Sequence, residues 1–141
     1  MAVKPLPRPE LNTDTICFVI VKAREFDVQV DVEEPDYGSD AADDKFVQIL
    51  EAYADNPTFA ELRSFIEAMN DDEQAELVAL AWIGRGDFEG TEWNDALRLA
   101  KERHSGSTAL YLCGIPMLGD YLEEGLAAFG LSCADTEREH L

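Results

Sequence analysis

Positive charge is what this chain has least of: eleven Lys and Arg face thirty Asp and Glu in 141 residues, a formal net charge of −19. Such a field repels nucleic-acid backbones and anionic membrane surfaces, so neither is expected as a partner. Histidine is almost as scarce. His104 and His140 are too far apart for a ligand motif, which leaves no histidine-based metal site. Cysteine occurs three times, at 17, 113 and 133, an odd number without a paired spacing. A disulfide framework is therefore not expected, and the reducing cytoplasm is the simplest setting. The longest apolar runs, 16–21 and 77–83, fall short of the roughly twenty residues a membrane helix needs. Residues 1–9 also lack the apolar run of a signal peptide.

Apolar residues make up 46% of the chain, enough for an ordinary core. The length fits one domain that buries about two thirds of its unfolded surface, without help from a metal or cross-link. The expected division is a flexible leader at 1–13, one helical domain at 14–130 and a frayed tail at 131–141.

Apolar spacing of three and four residues predicts helices at about 15–28, 43–54, 59–69, 72–84, 92–104, 108–113 and 116–129. Ile16, Val19, Ile20, Ala23 and Phe26 line the first. Thr13 or Asp14 is its expected cap. Residues 26–32 alternate apolar and polar, but no second alternating segment exists for pairing, so an extended arm or a ragged helix end is expected. Asp40 with Asp43 has capping spacing; Thr58 with Glu61 reads as a capping box after Asn56-Pro57; Asn70 or Asp71 caps the next helix. That helix, rich in Leu77, Val78, Leu80, Ala81, Trp82 and Ile83, belongs at the centre because only neighbours on most sides can cover it. Gly84 to Asp87 ends it, Thr91 caps the amphipathic segment after it, and Pro116 opens the last helix. The fold class is all-α: a compact orthogonal bundle of six or seven short helices.

Three segments carry a resemblance: Ile20 to Asp27, Ala75 to Gly86, and Gly114 to Leu126, which reads GIPMLGDYLEEGL. Together they resemble a bacterial domain family of unknown function, family number 3775, over roughly residues 14–130. The resemblance implies one domain and a bacterial origin. It brings no chemistry and no catalytic residue.

Catalytic constellations are absent. Gly84-Arg85-Gly86-Asp87 lacks the Lys-Ser or Lys-Thr of a phosphate loop and reads as a helix terminator with Arg85 beside a carboxylate. His104-Ser105 lacks a nucleophile elbow. Asp72, Glu73 and Glu76 sit where helix starts favour acids, and Asp120, Glu123 and Glu124 on a polar face, so both groups read as capping and solubility. Cys17 and Cys113 read as core. Eleven acids between Glu25 and Asp55 read first as a solvated face, with a surface for a basic protein or a hard-cation site as sharper alternatives. They lack calcium-loop spacing, so no metal and no cofactor is assigned.

The leading functional reading is an acidic cytoplasmic interaction or accessory protein, either a homo-oligomer joined through residues 110–129 or a binder of another protein. Gly114, Gly119 and Gly125 would let a second helix approach closely there. An enzyme is the weaker reading. It takes the form of a small-ligand pocket built from Trp82, Arg85, Trp93, Tyr111 and Tyr121, with Arg85 recognising an anion. A third reading makes the acidic segment a decoy for a nucleic-acid-binding protein.

Overall fold

The computed structural model describes residues 8–29, 42–103 and 106–133, without the side chains of 42–47. Within them the chain is all-α: α1 (Thr13–Gln29), α2 (Ala42–Tyr53), α3 (Pro57–Glu67), α4 (Asp71–Arg85), α5 (Trp93–Glu102), α6 (Thr108–Cys113) and α7 (Leu118–Ala127). A single 3-10 turn, Gly90–Glu92, precedes α5, and no strand occurs among the described residues. The acids at 31–40, the His104-Ser105 pair and His140 lie outside the described residues, and so does the expected Asp40–Asp43 capping contact, since Asp40 and the Asp43 side chain are among those left out.

Helix α4 is the hub. Every residue from Gln74 to Ile83 is buried, and α5, α6 and α7 pack around it while α1 bridges α7 to α3. The α1 stripe predicted by spacing, Ile16, Val19, Ile20, Ala23 and Phe26, is the stripe that is buried, together with Cys17. Phe26 meets Phe59 of α3 at 5.6 Å and Tyr53 of α2 edge-on at 5.0 Å, which joins three helices through aromatic rings. Gln74, polar in an apolar helix, donates its amide to the Ile66 and Met69 carbonyls at the end of α3, both at 3.0 Å. The Met69 carbonyl thereby gains a donor, and the Ile66 carbonyl a further one beside the Met69 N–H.

The α4–α7 contact depends on glycine. A Cβ on Gly84 would overlap the Tyr121 carbonyl, and one on Gly125 would overlap the Leu80 carbonyl. The two backbones touch there without side chains between them. Gly119 does the same against α1, where a Cβ would come within 2.8 Å of Arg24 Cγ and 3.0 Å of the Ile20 carbonyl oxygen. Gly119 and Gly125, expected to admit a second copy, serve this chain's own packing.

Several start signals differ from the sequence reading. Asn12 caps α1, its side chain accepting the Asp14 N–H at 2.7 Å, so neither Thr13 nor Asp14 is the cap. Asn56 caps α3 by accepting the Phe59 N–H at 3.0 Å, and Pro57 takes the first helical position, where its fixed φ and missing N–H cost nothing. Thr58 instead accepts from the Gln29 amide. The 3-10 turn replaces Thr91 as the entry to α5, with the Glu89 N–H donating to the Glu92 carboxylate at 2.8 Å. Pro116 does not open α7: the helix begins at Leu118, after Met117 in the left-handed region at φ 62°. The Met117 N–H is turned instead to the carboxyl of Asp27 on α1, whose pKa burial pushes up against that bond. Asn70, rather than Asp71, caps α4, and of Ser105 and Ser107, the two residues expected to begin α6, Ser107 is its cap; α1 runs to Gln29 with no extended arm before that point.

The cysteine reading is corrected as well. Cys17 and Cys133 form a disulfide, with Cα atoms 5.7 Å apart, because the turn after α7 brings the chain back over α1. Cys113 stays free and buried.

Candidate functional site

Residues 8–12 run across the start of α4, and one side chain positions them. The Glu10 N–H donates to Glu76 Oε1 at 2.7 Å, and the Leu11 N–H reaches the same carboxyl group. Glu76 is only 8% exposed, and burial pushes its pKa above the ordinary glutamate value against the pull of those two N–H groups. Leu11 turns its side chain into the core beside them.

Between this strap, the first turns of α4 and the flank of α5 lies an open cleft of about 850 Å³. Its floor is apolar: Leu11, buried Trp93 and half-buried Leu97. The walls carry four carboxylates, Glu10, Asp72, Glu73 and Glu76, against the cations Arg8 and Lys101. Lys101 is already paired with Asp72 at 3.3 Å. Glu73 closes the α4 capping box, accepting the Asn70 N–H at 3.0 Å while Asn70 accepts the Glu73 N–H at 2.8 Å. A second, shallower depression of about 400 Å³ on the outer face of α5 shares Asn94, Leu97 and Lys101 with the first. Leu97 therefore borders both hollows.

The five residues read as a pocket part company. Trp82, Arg85 and Tyr111 do meet: the Trp82 indole N–H donates to the Tyr111 hydroxyl at 3.0 Å, Arg85 also reaches that hydroxyl, and Phe88 stacks on Trp82 at 6.0 Å. Arg85 is engaged by Asp87 through both its Nε and an outer nitrogen, the carboxylate partner expected for a helix terminator. Trp93 lies elsewhere, edge-on to Phe129 at 5.5 Å in the cleft floor. Tyr121 presents its backbone to Gly84.

Of the carboxylates read as solvation, Asp120 and Glu123 share Arg24 of α1, an exposed network. Glu76, expected to serve capping and solubility, is instead buried and holds the Glu10 N–H. The available signal was its place between Ala75 and Leu77 in an otherwise apolar run, a position a solvated acid rarely occupies. Among the described residues, no group of three or more His, Cys, Asp or Glu is placed to hold a metal, and no helix is long and apolar enough to cross a membrane.

The family described as "Protein of unknown function (DUF3775)" matches residues 59–131, just over half of the chain and the C-terminal part of the span over which the resemblance was drawn. The chain matches no curated protein and no solved structure.

Proposed function

The chain belongs to the DUF3775 family, and from that premise we propose that it is a helical recognition module whose cleft takes a segment of a partner protein with a basic side chain beside an apolar one. The observation carrying this reading is Glu76, a buried carboxylate in the acidic wall of a cleft whose floor is Leu11, Trp93 and Leu97. An apolar floor supplies affinity by shedding water, and the surplus of carboxylates selects the sign of what enters. The two hollows that share Asn94, Leu97 and Lys101 suit an extended segment better than a compact small molecule.

Fluorescence anisotropy with two labelled peptides tests this: one alternating Leu with Lys, the other alternating Leu with Glu. The basic peptide is expected to bind at about 10–100 µM and to weaken as salt rises, and the acidic one not to bind. Equal binding of both, or of neither below about 1 mM, contradicts the reading.

A second reading rests on the convergence of Trp82, Arg85 and Tyr111. There Arg85 leaves Asp87 to take an anionic ligand, and titration with phosphate-bearing compounds against Arg85→Gln tests it. Self-association has less support, since Gly119 and Gly125 are occupied within the monomer. The bacterial origin implied by the resemblance is kept as an expectation. A cytoplasmic setting is kept too, with the consequence that Cys17 and Cys133 would there face a pool of small thiols.

A further inference from the structure

The Cys17–Cys133 bond has two unequal ends. Cys17 sits in α1 and is 8% exposed, whereas Cys133 is half-buried at the end of the described chain. Phe129 is held edge-on to Trp93 at 5.5 Å, but between it and Cys133 the chain has few other anchors. Gly130 turns at φ 73° with nothing beside its Cα, the Leu131 N–H reaches the Leu126 carbonyl at 3.0 Å, and the Leu131 side chain is half-buried. The core does not rest on this segment, because its buried Leu, Ile and Phe residues come from α1 to α7 and their near connections.

We propose that Cys133 is a site of thiol–disulfide exchange with small thiols, and that the bond it makes to Cys17 is a releasable clasp on residues 131–133. A thiolate RS⁻ attacks Cys133 Sγ, on the more exposed of the two residues. The S–S bond breaks, its electron pair leaves on Cys17 Sγ, and that sulfur takes a proton from water. A second RS⁻ attacks the small-thiol sulfur of the mixed disulfide, forms RSSR and expels Cys133 as thiolate, which is then protonated. Two RSH are oxidised and the protein disulfide is reduced by two electrons; RSSR drives the reverse. Cys113 stands outside the exchange, being buried with its thiol pushed up to about 12.

The test uses the full chain in glutathione buffers of graded ratio, acid-quenched, alkylated and mapped by mass spectrometry. Oxidised protein is expected to show one free thiol, Cys113, and partly reduced protein a glutathione adduct on Cys133. Cys17→Ser is expected to keep that adduct, and Cys133→Ser to place at least about tenfold less on Cys17, as the difference in access requires. Amide exchange at residues 131–133 should quicken about tenfold or more on reduction, and that of residues 77–80 by no more than the lowered global stability accounts for. The melting midpoint should fall by about 5–15 °C, since the bond closes a loop of over a hundred residues. Three thiols persisting in oxidised glutathione, adduct chiefly on Cys17, exchange at 131–133 indifferent to reduction, or loss of the helical signal on reduction would each overturn the proposal.

Discussion

The two sides of α4 are held by opposite means. Toward α7, backbone meets backbone through Gly84 and Gly125, and no atom can be added. Toward the strap and α5, the helix carries a buried carboxylate, a capping box and an open cleft. The first side is fixed by shape and the second by polar pairing. A binding surface is compatible only with the second, where side chains can change without the backbone moving.

The sharpest way to break this contrast is to add a methyl group on the closed side. Gly84→Ala and Gly125→Ala gain helix propensity of roughly 1 kcal/mol, but the new Cβ overlaps a carbonyl on the facing helix, so each is expected to destabilise by ~3 kcal/mol or more in chemical denaturation. On the cleft side, Glu76→Ala strands the Glu10 and Leu11 N–H groups and is expected to cost about 1–3 kcal/mol and to loosen residues 8–12. Glu76→Gln keeps an accepting oxygen and should retain the strap.

Acidity sharpens the same comparison. The folded pKa of Glu76 lies above its unfolded value, so in that window the folded state holds the extra proton and stability falls as pH rises. The penalty begins just above the ordinary glutamate range and is complete beyond the raised folded pKa. Wild type is therefore expected to lose stability relative to Glu76→Gln as pH climbs from about 4.5 toward neutrality, read from parallel denaturation curves. Parallel behaviour of the two proteins across that range would remove Glu76 from the account. Smaller again, Asn70→Ala should cost about 1 kcal/mol through the lost cap. Leu97→Ser, in the lining of both hollows, should change stability by no more than about 1 kcal/mol while weakening the basic peptide about tenfold.

Periodicity made the helices legible. Seven segments were read within a few residues of the helices described here, and α4 was placed at the centre because its apolar residues leave no face for solvent. Start signals are legible at Asn70 and Ser107, whereas at α1 and α3 an Asn one or two positions earlier than expected takes the cap, and other expected start residues have partners far away. Thr58 is drawn to Gln29 and the Met117 N–H to Asp27. The site was harder still. Glu76 becomes a strap holder only when residues 8–12 fold back sixty-six positions to meet it, and Cys17 meets Cys133 across 116. Trp93 was singled out for its chemistry, but its separation from Trp82 and its place in the cleft floor are tertiary facts.

The most direct test of the open side as the recognition surface is a ¹⁵N chemical-shift titration of the full chain with the Leu–Lys peptide. Expected are saturable shifts at Glu10, Leu11, Glu76, Asn94 and Leu97, with the amides of Gly84, Tyr121 and Gly125 unmoved. Shifts centred instead on Arg85 and Tyr111, or none at the cleft residues at saturating peptide, would contradict it.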